Sequence, residues 1–395
     1  MTSKSISYRW HTFSAGCALF AMLFGAANVF LPLILGRTFG TLVPFALIGF
    51  VLTAVLIPLI GFVSVTLAQG DYVVFLDKLG RVPALLVGLL CMTLLGPVGA
   101  IPRCIAIAHA DLSWYLPNLS TWLFSGIAAG LIWLCSYQKT HVIDILGRYL
   151  GPLKILCLLA IVVLGLLSPG AAITPEDIES RQSFLRGFYD GYGTMDLLAI
   201  IFFSQLVYSG IAKSIINPTP ENLLKKALWV SLIAGSLLAF VYIGFASIAA
   251  LHGPRIADVA DDTLLSALAS TVLGAHAGLF VNITIAITCL VTAIALTSTF
   301  ADFLSRELLR QRISYQTALL LTVVSSGLMA NLRFSGIMKT ILPWISFCYP
   351  ALMVFAVLHI VMVLKSWSPF YARVGFFVTL GVTAFWTLGY GGMVY

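Results

Sequence analysis

The chain has 395 residues, of which 60% are hydrophobic and only 9% charged. Soluble domains carry about 25% charged residues, so a water-soluble globule is excluded and lipid must be the solvent. The net charge of +7 does not point to nucleic acid, because the basic residues are scattered between apolar segments instead of forming a patch.

A spanning helix needs about 20 mostly apolar residues. That measure predicts an all-α polytopic membrane protein of eleven spans: 12–36, 41–68, 83–108, 119–137, 150–168, 184–211, 227–251, 271–303, 314–331, 341–364 and 370–394. The stretches between them, including 169–183 and 252–264, are expected as loops too short to build a soluble core. Orientation follows from the basic residues. With the N-terminus in the cytoplasm, fifteen of the 22 Lys and Arg side chains fall inside, while the acidic stretches "TPEDIES" and "ADVADD" fall outside. The short basic N-terminus runs into an overlong apolar segment and lacks the small-residue site of a cleaved signal peptide.

The first span contains "LFGAANVFLP", residues 23–32. Gly25, Ala26, Ala27 and Asn28 interrupt the apolar run, and Pro32 follows. The sixth span opens with "GFYDGYGTMDLLAII", residues 187–201, which holds Asp190, Thr194, Asp196 and three glycines. Each Gly in a helix interior costs about 1 kcal/mol relative to Ala, and unwound backbone in lipid has no water to satisfy it. Such interruptions are tolerable where they line a cavity and bond a ligand. A stripe of small residues alone also serves helix packing. Two interruptions at matched positions, each opening a block of five spans, instead predict an inverted five-plus-five repeat, with blocks at 12–168 and 184–364 and an extra C-terminal helix at 370–394. A membrane acid such as Asp196 is a functional candidate by default.

Little else in the chain carries chemistry. The seven cysteines show no CxxC spacing, so neither a disulfide framework nor a metal site is expected. His109 and Asp111 lie two apart, a spacing that points them to different sides of a helix, and the expectation for His109 is a loop-end position at headgroup level. No P-loop, nucleophile elbow or HExxH occurs, so no catalytic residue is assigned and an integral-membrane enzyme is disfavoured.

Four segments carry a family resemblance. "FGAANVFLP", "GPVGAIPR" (96–103), "GYGTMD" (191–196) and "CLVTAIALTSTFADF" (289–303) resemble, in order, the motifs of the branched-chain amino acid:cation symporters. The resemblance implies sodium-coupled uptake of leucine, isoleucine and valine across a bacterial inner membrane, on the leucine-transporter type of fold with broken first and sixth helices. Ala27 stands where a glycine is usual, Val291 where many members carry a hydroxyl residue, and the chain reads one span short of the usual twelve.

On this reading the substrate meets the backbone of Phe24, Gly25, Ala26 and Ala27 on one side and Tyr192, Gly193 and Thr194 on the other. An aromatic wall would come from Phe24, Tyr192, Phe202 or Phe203, although the last two serve equally well as lipid-facing filler. One sodium would be held by Asn28, the Leu23 carbonyl and Thr194. A second would be held by the Ala21 and Phe24 carbonyls with Thr292 and Thr288, which share a helix face; membrane threonines also bond their own i−4 carbonyls. Arg103 is expected to gate the site by pairing with Asp190 or Asp196, or else to snorkel to the interface. Sodium is the coupling ion, no other cofactor is implied, and the partners are the amino acid, sodium and membrane lipid. A proton-coupled importer, an exchanger and a non-transporting amino acid sensor stay open.

Overall fold

The computed structural model describes residues 3–390 apart from 26, 138–150, 173–174, 176–177 and 216–218. Among the described residues the structure is helical, and six runs are long and apolar enough to cross a membrane: Ala27–Leu67, Arg81–Ser113, Asp196–Lys213, Glu221–Arg255, Gly278–Leu308 and Arg333–Leu364. Shorter apolar helices, His11–Leu23, Thr121–Ser136, Leu158–Leu167 and Tyr315–Ala330, fill the expected places between them. The last helix, Pro369–Tyr390, covers the eleventh span, whose final residues lie outside the described ones.

Span 1 is two helices, Ser3–Leu23 and Ala27–Phe39, and Phe24 and Gly25 lie in the break between them. Ala26 itself lies outside the described residues. Pro32 has no N–H, so the Asn28 carbonyl lacks its i+4 donor and the start of the second half-helix is left loosely tied. Span 6 is likewise two helices, Ser180–Asp190 and Asp196–Lys213, joined by the 3-10 turn Gly191–Thr194 and by Met195. Met195 is fully buried and sits in the left-handed region at φ 60°, where a residue with a Cβ is strained. The chain holds that strain where it changes from one half-helix to the next.

Two elements depart from the sequence reading. Span 3 is also interrupted: Arg81–Leu95 ends at Gly96, and a new helix, Ala100–Ser113, starts after Gly99. A Cβ on Gly99 would lie 2.0 Å from the Leu94 carbonyl oxygen, so this turn admits only glycine. The stretch 252–264, expected as a loop, leads into a helix, Leu264–Leu273, ahead of span 8 (Ala275–Phe303). Ten residues are too few to span a membrane, so a length criterion passes over this helix.

The helix pairing has a simple symmetry. Span 1 packs on span 7 (Pro220–His252), and span 6 packs on span 2 (43–67). Exchanging spans 1–5 with 6–10 turns the first pair into the second. It leaves the pairs of spans 3 with 8 and 4 with 9, both also packed, unchanged. The two breaks therefore lie at equivalent places in the two halves and face the centre.

Glycine lets span 6 press against span 2. A Cβ on Gly191 would lie 1.9 Å from Thr53 Oγ1. Thr53 sits in the π-helical turn Leu52–Leu56, and its hydroxyl donates to the Phe188 carbonyl at 2.9 Å. Gly191→Ala is expected to destabilise the folded protein by about 1–3 kcal/mol, read as a lower unfolding temperature in detergent. Gly126→Ala, at a position with open space around the added carbon, is expected to leave that temperature unchanged.

Candidate functional site

The two breaks are joined by one amide. Asn28, in the first turn of its half-helix, turns its Oδ1 back to accept from the Gly25 N–H at 3.2 Å, which closes the gap in span 1. Its Nδ2 donates to Asp196 Oδ2 at 2.8 Å and also contacts the Tyr242 hydroxyl. Tyr242 Oη, reaching in from span 7, donates to the same Asp196 oxygen at 3.0 Å. Asn28, Asp196 and Tyr242 are each no more than 1% exposed, so the three form a closed polar knot in an apolar surround. Asp196 is the first residue of its half-helix, where the partial positive charge of the helix N-terminus favours a carboxylate.

Thr194 finishes the span 6 break. Its hydroxyl donates to the Gly191 carbonyl at 3.0 Å and accepts from the Asp196 N–H at 3.3 Å. The side chain thus stitches the 3-10 turn to the following helix.

Arg103 reaches the same break from the first turn of the second half of span 3. Its Nη1 donates to the Gly193 carbonyl at 2.7 Å and contacts Met338 Sδ at 3.4 Å. It is 3% exposed, and its Nε has no hydrogen-bond partner. The ion pair expected between Arg103 and Asp190 or Asp196 is not formed. Asp190 pairs instead with Arg186 one turn earlier, at 3.1 Å. The break in span 3 explains the difference, because it starts a new helix whose first turn aims Arg103 at the carbonyl of Gly193 and not at a carboxylate. Nor does Arg103 snorkel, since it is buried.

The remaining candidates divide by distance from the knot. Leu23 ends its helix and Phe24 lies just outside it, its N–H donating to Phe20 at 2.8 Å; Ala21 is inside the last turn. The Phe24 ring stacks on Tyr242 at 6.2 Å and on Phe20 at 5.4 Å. Ala27 is buried at the start of the second half-helix. Tyr192 stacks on Tyr349 of span 10 at 4.8 Å. A Cβ on Gly25 would lie 3.7 Å from the Thr292 methyl group, so span 8 does face the span 1 break. The Thr292 hydroxyl donates to the Thr288 carbonyl at 3.0 Å, the i−4 bond that a membrane threonine commonly makes. Phe202 and Phe203 are buried and do not face lipid. Phe202 lies about 9 Å along the helix from Asp196 and packs on Tyr72 at 4.7 Å, away from the knot.

Sequence reasoning missed Tyr242 and the burial of a second polar group. Tyr242 sits in "LLAFVYIGFA", where nothing local marks one hydroxyl as bonded to two other spans. His109 and Asp111 both lie in the last turns of helix Ala100–Ser113. Both are buried, with His109 Nε2 at 2.9 Å from the Leu119 carbonyl and Asp111 accepting from Ser266 at 2.8 Å. Helix Leu264–Leu273, absent from the sequence reading, supplies the Ser266 hydroxyl to Asp111, and His109 packs on Phe124.

Tyr242→Phe deletes one buried donor to Asp196 and keeps the ring. It is expected to cost about 1–3 kcal/mol of stability, measured as a lower unfolding temperature. Leu206→Ala, on the exposed side of span 6, is expected to shift that temperature far less.

This geometry has parallels in known proteins. The solved structures of Mhp1, a nucleobase-cation-symport-1 family transporter, superpose on the chain. The closed form with bromovinylhydantoin bound gives a TM-score of 0.62 at 14% identity, covering 94% of this chain and 91% of Mhp1. The inward-facing form gives 0.63 at 12% identity, covering 96% and 91%. At that identity the likeness concerns the fold alone. By sequence, the chain is 29% identical over 348 residues to the branched-chain amino acid transport system 3 carrier protein of Pseudomonas aeruginosa, covering 87% of this chain and 79% of that protein. It is 28% identical over 365 residues to a putative branched-chain amino acid carrier protein of Staphylococcus aureus, covering 86% and 79%. The profile of the family described as branched-chain amino acid transport protein matches residues 9–390, and the chain belongs to that family.

Proposed function

We propose that this protein carries leucine, isoleucine and valine into a bacterial cell across the inner membrane by sodium-coupled alternating access, with its N-terminus in the cytoplasm. The observation that carries this reading is the hydrogen bond from Asn28 to Asp196 at 2.8 Å. It ties the broken turn of span 1 to the broken turn of span 6, so a ligand entering between the two breaks would act on both at once. Family membership supports the class of substrate.

In this proposal the amino acid displaces part of the present packing between the two breaks. Its charged groups would meet main-chain groups of Phe24, Gly25, Ala26 and Ala27 on one side and of Tyr192, Gly193 and Thr194 on the other, while its side chain would lie against the rings of Phe24 and Tyr192. Arg103, already on the Gly193 carbonyl, would hold the span 6 turn and offset the charge of Asp196, a coupling role for both. Selectivity among the aliphatic substrates should be modest, since one methylene is worth about 1–3 kcal/mol. Sodium would be held by Asn28, Thr194 and the Leu23 carbonyl, and at a second position by the Ala21 and Phe24 carbonyls with Thr292 and Thr288.

One observation favours proton coupling as a second reading. The Thr292 hydroxyl is engaged with its own helix, and position 291 is Val, so span 8 presents few side-chain oxygens to the first break. In that reading Asp196 carries the coupling proton.

Proteoliposomes separate the two. Under a sodium gradient, labelled leucine should accumulate, and replacing sodium by choline should lower the initial rate at least about tenfold, within the roughly 5–150-fold range typical of coupling between two ligands. Undiminished uptake in choline, driven by a pH gradient, would overturn the sodium reading in favour of the proton. Asp196→Asn should abolish accumulation in either case, whereas Asp190→Asn, which loses only the partly exposed Arg186 partner, should retain at least about half the rate.

A further inference from the structure

Away from the central knot, a second set of buried polar groups joins span 3, span 8 and the short helix Leu264–Leu273. Asp111, Ser266 and Asn282 are all 0% exposed. Ser266 Oγ donates to Asp111 Oδ1 at 2.8 Å, and Asn282 Nδ2 donates to the Asp111 main-chain carbonyl at 3.1 Å. Two acceptor oxygens then have no donor: Asp111 Oδ2 and Asn282 Oδ1. Leaving one buried polar atom unpaired costs about 1–3 kcal/mol, and more for a charged group, so a charged Asp111 is costly in this setting.

A proton satisfies these two oxygens better than a metal ion does. A single proton on Asp111 Oδ2 converts an acceptor into a donor, removes the buried charge and supplies a donor to the neighbouring amide. A sodium or calcium ion takes about six oxygens, whereas the three side chains offer no more than four, one of them already used by a hydroxyl.

The helix that carries Ser266 is placed to act as a lid. Every residue from 264 to 269 is buried, so the helix is sunk among its neighbours and not laid on the surface. It packs on spans 5 and 8 and on the second half of span 1, the half that bears Asn28. The loop before it is tied to that same half-helix, where Arg37 donates to the Val259 carbonyl at 2.6 Å and pairs with Asp261. If the helix lifts, Asp111 meets water and can ionise; if it sinks, Asp111 must be neutral.

We propose that Asp111, Ser266 and Asn282 form a proton-binding latch: Asp111 takes up one proton from water on the lid side as helix Leu264–Leu273 closes over span 1, and gives it back when the helix lifts. The outer position of the lid rests on the orientation proposed above; the latch chemistry does not. The other titratable groups near Asp111 are few. Asp262, on the turn Asp261–Thr263, is the acid within electrostatic reach. Tyr115 lies beyond the end of the same helix and within electrostatic reach of Asp111, and His109 is committed to the Leu119 carbonyl. Span 4 offers no acid or base at this level. Span 10 carries Arg333 and Lys339 near this end, neither within ion-pair distance of Asp111.

Thiol labelling tests the latch without requiring transport. Ala267→Cys, buried in the lid, and Thr271→Cys, exposed on the same helix, are made separately in a background lacking the native cysteines. Open membrane fragments expose both faces to a membrane-impermeant maleimide. The rate at 267 divided by the rate at 271 should rise at least about twentyfold between pH 6 and pH 9, well above the roughly fourfold rise that a burial-raised thiol pKa at 267 gives by itself. Asp111→Asn, whose amide keeps the Ser266 bond and donates to Asn282 as the proton would, should hold the ratio low at both values. Asn282→Leu removes the acceptor for the proton and should move the midpoint of the rise to lower pH by about one unit. A ratio independent of pH in the parent, or a rise unchanged in Asp111→Asn, would overturn the latch. Suppression of the rise at pH 9 by sodium, but not by choline, would overturn the proton as its ligand in favour of the metal ion. Repeating the Thr271→Cys labelling on intact cells reports which face the lid is on, so an error in orientation is seen separately.

Discussion

A peptide group without a hydrogen-bond partner cannot persist in hydrocarbon, and among the described residues spans 1, 3 and 6 are each broken into two helices. What makes that possible is that the breaks satisfy one another. Asn28 closes the gap in span 1 with its carbonyl oxygen and spends its amide hydrogens on span 6 and span 7. Thr194 closes span 6 onto itself, and Arg103, launched from the break in span 3, takes the carbonyl that span 6 leaves over. Remove the contacts between breaks and each becomes an unpaired polar turn in an apolar medium.

Charge follows the same economy. Arg103 and Asp196 are both buried in the interior and of opposite sign, yet they are not in contact. Each is held by neutral dipoles, the guanidinium by the Gly193 carbonyl and the carboxylate by Asn28, Tyr242 and the Thr194 turn. A direct ion pair would lock the two spans together with large desolvation costs on both sides. Attachment through dipoles leaves each charge able to exchange a protein partner for a ligand atom, which is what a site that opens and closes requires. The same logic recurs at Asp111, where the lid helix contributes a single hydroxyl.

The chain announces some of this and conceals the rest. The breaks at 24–28 and 190–196 are legible because their cause is local: small, polar and glycine residues sit where an uninterrupted helix would place large apolar ones. The eleven spans and their order are legible for the same reason, since length and apolarity are properties of a segment. The interruption at 96–99 was hidden because "GPVG" lies inside a run apolar enough to pass as one span, although its two glycines and proline are the residue types a sharp turn needs. The helix at 264–273 was hidden because it is too short to span and carries few polar residues to mark a surface. Tyr242, the direction of Arg103, and the burial of His109 and Asp111 depend on which distant segments meet. Spacing along the chain therefore carries no record of them.

The account stands on the claim that the two breaks act as one site through Asn28 and Asp196. The measurement that addresses it most directly is a double-mutant cycle on the equilibrium dissociation constant for labelled leucine in purified protein, using Asn28→Ala, Asp196→Asn and the pair together. Residues in direct contact give strongly non-additive effects. Each single change should weaken binding about tenfold or more, and the double mutant should be no weaker than the worse single one to within about twofold. If the two losses multiply, Asn28 and Asp196 act independently, and the broken turns of spans 1 and 6 do not form the shared site described above.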